Sequence, residues 1–102
     1  AISHISKQFL NSFKQLSKGT ENNQKLGDKT GENKNLTLIG VIYNHQGQYN
    51  KSIEYHQKAL NINRQLNDQK GIARNFANIA LVHTNKSNFD EGINYYQKAI
   101  QI

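Results

Sequence analysis

Apolar residues recur at helical spacing along most of this chain, and polar breaks interrupt them at regular intervals. Leu36, Ile39, Gly40 and Tyr43 form one stripe of period 3.6, and the pattern stops at Gly47-Gln48. Tyr49, Ile53, His56, Ala59 and Leu60 form the next. Phe76, Ile79, Ala80 and His83 make a third, which ends at Ser87-Asn88, and Phe89, Ile93, Tyr96, Ala99 and Ile100 make a fourth. Each stripe predicts an amphipathic helix that hides one face. Asp28 and Asp68 stand where helix N-caps are expected, and Asn88, followed by Asp90 and Glu91, marks the start of the last helix in the same way. Ile2, Ile5, Phe9, Phe13 and Leu16 predict a further, leading helix that runs to about Lys18. SKGTENNQK, residues 17–25, has no apolar residue and reads as a loop. Five helices are expected in all, with no strand.

The stripes repeat. Residues 26–62 laid over 66–102 without a gap give eleven identities, among them Asp28 with Asp68, Asn35 with Asn75 and Ile39 with Ile79. Tyr55-x-Gln57-Lys58-Ala59 returns as Tyr95-x-Gln97-Lys98-Ala99. Chance would give roughly three identities in so biased a composition, so the chain contains a true internal repeat, each unit a pair of helices. The organisation expected is a leading segment at 1–25, possessing the look of a degenerate earlier unit, then units at 26–65 and 66–102.

This pattern resembles the tetratricopeptide repeat (TPR) family. The large, Leu-Gly and Tyr positions of its first helix match Leu36, Ile39-Gly40 and Tyr43, then Phe76, Ile79-Ala80 and His83. The small, aromatic and Ala positions of its second helix match Ser52, His56 and Ala59, then Gly92, Tyr96 and Ala99. His stands in for an aromatic at 56 and 83, and the Pro that often closes a unit is absent. The 40-residue unit, longer than the usual 34, and the Leu-x-Asp-x-x-Gly lead-in at Leu26 and Leu66 are similar to the repeats of kinesin light chain and of the Leu-Gly-Asn spindle-orientation adaptors.

The resemblance implies an all-α solenoid of stacked antiparallel helix hairpins that acts as a protein–protein interaction scaffold. It also implies a peptide groove lined by the first helix of each unit. Carried across position by position, that groove takes Lys34, Thr37, Leu38, Val41, Asn44 and His45 from one unit. From the other it takes Arg74, Ala77, Asn78, Leu81, Thr84 and Asn85. Two cations, several amides and small apolar groups suit a peptide with acidic and apolar residues. Arg74 and Asn78 lie one helical turn apart and are the pair expected to carry most of the binding. The two-cation, two-amide clamp that some TPRs use for a C-terminal carboxylate is matched only at Asn78 or, in the other register, at Arg74, which disfavours chaperone-tail binding.

Composition narrows the picture further. The 102 residues contain no Cys, Pro or Met, and the net charge is +6, spread evenly along the chain. Lack of Cys removes disulfides and thiolate chemistry and fits an intracellular protein. The absent initiator Met is expected of a segment of a longer protein. The longest apolar run, LTLIGVIY at 36–43, is too short to span a membrane. The four His lack ligand spacing, so no metal and no cofactor are expected. Lys29-Thr30-Gly31 has no Ser-x-x-Lys partner, and the three Asn-x-Ser/Thr sequons, at Asn35, Asn50 and Asn85, are expected in a chain so rich in Asn. No general acid–base pair or phosphate loop assembles, and no enzyme is expected. Two other readings stay open: a nucleic-acid binder favoured by the charge, and a regulatory or self-assembling domain joined through the apolar end at Ile100 and Ile102.

Overall fold

The computed structural model describes residues 28–102, and the expected leading helix lies outside them. The described residues form four helices: α1 (Lys29–His45), α2 (Tyr49–Gln65), α3 (Gln69–Asn85) and α4 (Phe89–Ile100). The first three are each 17 residues long, and three-residue turns join successive helices. Helix starts therefore fall twenty residues apart, and the 40-residue repeat is two such steps. Each helix packs antiparallel on the one before it, and α1 also touches α3.

All three turns close in the same way. The residue after the C-cap has a positive φ: 76° at Gly47, 54° at Asn67 and 68° at Ser87. The next N–H then reaches back to the helix, Gln48 to the Tyr43 carbonyl at 2.9 Å, Asp68 to Asn63 at 2.9 Å and Asn88 to His83 at 2.8 Å. These are Schellman turns, which satisfy the orphan carbonyls of a helix end. Gly47 adopts the left-handed conformation at no steric cost, whereas Ser87 holds it against a Cβ clash of about 1 kcal/mol. Helix starts divide into two kinds. Asp28 and Asp68 accept the Gly31 and Gly71 N–H groups at 2.9 and 3.0 Å, as the sequence predicts. Asn88 is at the N-cap of α4, but its side chain makes no capping bond, so only its position was legible.

The core forms between neighbouring helices. Leu36 of α1 packs with Ala59 and Ile62 of α2, and Tyr55 covers them. Leu60 of α2 meets Ile72 and Ile79 of α3, flanked by Phe76 and by Tyr95 of α4. Each fully buried Leu or Ile contributes roughly 1.5–3 kcal/mol relative to exposure. Repeated aromatic contacts lie beside this core: Tyr43 is 5.5 Å from Tyr55, and its counterpart His83 stacks on Tyr95 at 5.5 Å. Burial, then Tyr55 and Glu54, raises the Tyr43 phenol above its ordinary value. Lys58 and Lys98 sit 4.6 Å over the Tyr55 and Tyr95 rings, which accounts for the recurring Tyr-x-x-Lys.

Helices α1 and α2 approach each other closely at Gly40. A Cβ on Gly40 would lie 2.6–2.9 Å from three atoms of the His56 ring, so only glycine fits. Beside it the Ser52 hydroxyl donates to the Gly40 carbonyl at 2.6 Å. In the second unit the small residues exchange places, with Ala80 on α3 and Gly92 on α4. His56 is 1% exposed and its Nδ1 has no hydrogen-bond partner. Burial lowers its pKa from 6.5 to about 4.

Two outcomes test this contact. Gly40→Ala should lower unfolding stability by about 1–3 kcal/mol through overpacking, read from urea midpoints, and pairing it with His56→Ala should remove most of the added cost. A histidine with a depressed folded pKa stabilises above its unfolded value and loses that contribution as protons bind the unfolded chain. Stability should thus fall as pH drops from about 6.5 towards 4, by on the order of 3 kcal/mol at completion. Urea titrations of the parent and of His56→Phe should differ in slope over that window and run parallel above it.

Candidate functional site

The first helices of the two units, α1 and α3, touch, and their side chains bridge along a shared face. Helical geometry determines which residues reach it, because positions three and four apart line one stripe. On α1 the stripe runs through Lys34, Leu38, Val41 and His45, with Thr37 and Asn44 on its flank. On α3 it runs through Arg74, Asn78, Leu81 and Asn85, with Ala77 and Thr84 beside it. Lys34, Leu38, His45, Arg74, Leu81 and Asn85 are exposed, and the other six are half-buried.

Polar side chains join the two helices across this face. Asn85 Nδ2 donates to Asn44 Oδ1 at 3.1 Å. Deeper in, Asn75 Oδ1 accepts from the Thr37 hydroxyl and from Asn78 Nδ2, each at 3.4 Å. Asn75 is only 2% exposed, and it connects two positions of the face, Thr37 and Asn78, from beneath. Sequence reasoning did not assign it to the site. Its signal was present, since Asn35 and Asn75 match across the repeat on helices where an apolar residue would be ordinary.

Thr84 sits differently from its neighbours. Its hydroxyl donates to the Ala80 carbonyl at 2.9 Å, and a Cβ on Gly92 would come within 2.6 Å of it. That side chain is therefore engaged in the α3–α4 packing. A second polar link lies at the other edge of α1, where Asn33 Nδ2 donates at 2.6 Å to both the Ala59 carbonyl and Asn63 Oδ1. Asn63 in turn lies against Gly71, which leaves no space for a side chain there.

Electrostatically the shared face is basic. Lys34 and Arg74 make no ion pair among the described residues, and no Asp or Glu belongs to the stripe. The chemistry it offers is hydrogen bonding by amides, charge pairing with carboxylates, and apolar contact at Leu38 and Leu81, which are 40% and 46% exposed. Among the described residues no group of three His, Cys, Asp or Glu side chains could hold a metal ion. Nor is any described helix long and apolar enough to cross a membrane.

Comparison with known proteins fits this geometry. No sequence match was found among curated proteins. Nine chains of solved structures do match. One is the crystal structure of the TPR domain of Arabidopsis FLU, with a TM-score of 0.80 and 26% sequence identity. That likeness covers 96% of this chain and 87% of the other. A family model described as Tetratricopeptide repeat matches residues 33–102. With that match spanning most of its length, the chain belongs to the tetratricopeptide repeat family.

Proposed function

We propose that this chain is a protein–protein interaction module that holds a peptide segment of a partner protein along the face shared by α1 and α3. Tetratricopeptide repeats in general mediate protein–protein contacts and are typically scaffolds without catalysis. The observation that carries the finer reading is the juxtaposition of Lys34 and Arg74, neither ion-paired among the described residues, with exposed Leu38 and Leu81 and a row of cross-linked amides. An Arg fork grips a carboxylate through two parallel bonds, and an Asn amide offers both a donor and an acceptor to an extended backbone. The ligand chemistry is thus an acidic peptide with apolar residues between its charges.

Rigidity supports the reading. Thr37, Asn44, Asn78 and Asn85 are already held by hydrogen bonds, so little side-chain entropy remains to be lost when a peptide arrives. Arg74 supplies the charge and Asn78 the backbone contact from one helical turn of α3.

Fluorescence anisotropy against pooled acidic peptides, with a single-stranded oligonucleotide alongside, tests the assignment. Saturable peptide binding is expected, weakened about tenfold or more by Arg74→Glu and severalfold by Asn78→Ala. Binding to the oligonucleotide alone, falling steeply with salt and unchanged by Asn78→Ala, would instead mark a charged nucleic-acid surface and end the peptide reading.

A further inference from the structure

One buried side chain joins both helices of the α1–α3 face, and its chemistry limits what the face can present. Asn75, on α3, is 2% exposed. Its Oδ1 accepts from the Thr37 hydroxyl of α1 and from Asn78 Nδ2 on its own helix, each at 3.4 Å. A carbonyl oxygen has two lone pairs, so both are engaged. A buried amide is costly unless it is bonded. Here the bonds go to two members of the face, and neither partner belongs to the apolar core.

The consequence falls on Asn78. An Asn amide has two ends, an oxygen that accepts and a nitrogen that donates, and a ligand meets whichever end faces it. Asn78 points its nitrogen at Asn75. Its oxygen lies on the opposite side of the amide and makes no hydrogen bond among the described residues. Without Asn75, the Asn78 amide could turn over at little cost and present a donor as readily as an acceptor. With Asn75 bonded across to Thr37, turning Asn78 alone would set two carbonyl oxygens against each other. Arg74, one turn earlier on α3, offers donors only. The two neighbours thus present opposite chemistry: donors for a carboxylate at Arg74, an acceptor for an N–H at Asn78.

We propose that Asn75 is a positioning residue for the peptide site, holding Asn78 so that its oxygen accepts a backbone N–H of the bound peptide. This role rests on the α1–α3 face being a peptide site, and it names the chemistry such a peptide must bring. A free backbone N–H is required close to the acid that pairs with Arg74. Four residues of helix span about 6 Å, and two residues of extended peptide span about 7 Å. The required N–H therefore lies within roughly two residues of the acid, and proline, which has none, is refused there. Asn75 itself touches no ligand.

An amide-to-ester scan tests this role, because an ester replaces one N–H by oxygen with little change of shape. The probe is the tightest-binding member of the acidic peptide pool, with analogues that each carry one ester. With the parent chain, anisotropy should show one analogue, its ester near the acid, weakened about threefold to tenfold. The quantity compared among variants is the affinity ratio of peptide to that analogue, so a general loss of affinity cancels. Asn78→Ala should bring the ratio close to one. Asn75→Ala should bring it most of the way there, although no ligand contact is removed. Asn75→Asp, whose carboxylate can only accept, should retain the full ratio. Thr37→Val reads the same link from α1 and should lower the ratio, which serves if Asn75→Ala does not fold. A purely structural Asn75 would weaken peptide and ester alike, so an unchanged ratio in folded Asn75→Ala, or in Thr37→Val, overturns the proposal. A scan with no ester-sensitive bond overturns it too, while leaving the peptide site standing. Failure of the whole pool to bind would overturn the peptide site and this role together.

Discussion

A three-residue turn with a left-handed residue at its centre sets the terms for everything else in this protein. It returns the chain through Gly47, Asn67 or Ser87 and positions the next helix antiparallel to the last. Because each turn makes the same two backbone bonds, each helix begins at the same rotational phase as the one before. That phase decides which stripe faces a neighbour and which faces solvent. Without it, the apolar residues of α2 would not meet α3, and the amides of α1 would not reach those of α3.

The close packing then follows from residue size. Gly40 against His56 and Gly92 against Thr84 are two solutions to one problem, bringing a helix pair near enough to exclude water. One places the small residue on the first helix, the other on the second. The first solution encloses an imidazole with an unpartnered nitrogen, which ties that contact to its neutral form. The second leaves Thr84 bonded to its own helix and so takes one side chain from the α1–α3 face.

Much of this was legible in the sequence because it rests on periodicity. Apolar spacing located all four described helices, the forty-residue echo paired them, and Asp28 and Asp68 announced two caps by their chemistry. Residues whose role depends on a distant neighbour were harder to read. Asn75 is an ordinary amide in the sequence and becomes a bridge only when α1 is laid beside α3. Asn33 and Asn63 stand thirty residues apart and meet only through the α1–α2 packing. The exposure of Phe89 and Ile93 was equally hidden, since their pattern is that of a buried helix, and it emerges only because no described helix covers them. Residues that build the fold speak through their local pattern, while those that connect or display a surface depend on what lies opposite.

The nearest-neighbour packing of the helices also shapes how the protein opens. Contacts here are local in sequence, so little loop-closure entropy opposes formation of any one hairpin, and the array behaves as a short one-dimensional lattice. In such a lattice the member with the fewest covered sides opens at the lowest free energy. Among the described helices that member is α4, which leans on α3 alone. The helix with the most apolar outward side is therefore also the one that exchanges its amide hydrogens soonest. Anything seated on it would slow that exchange from the end of the stack inward.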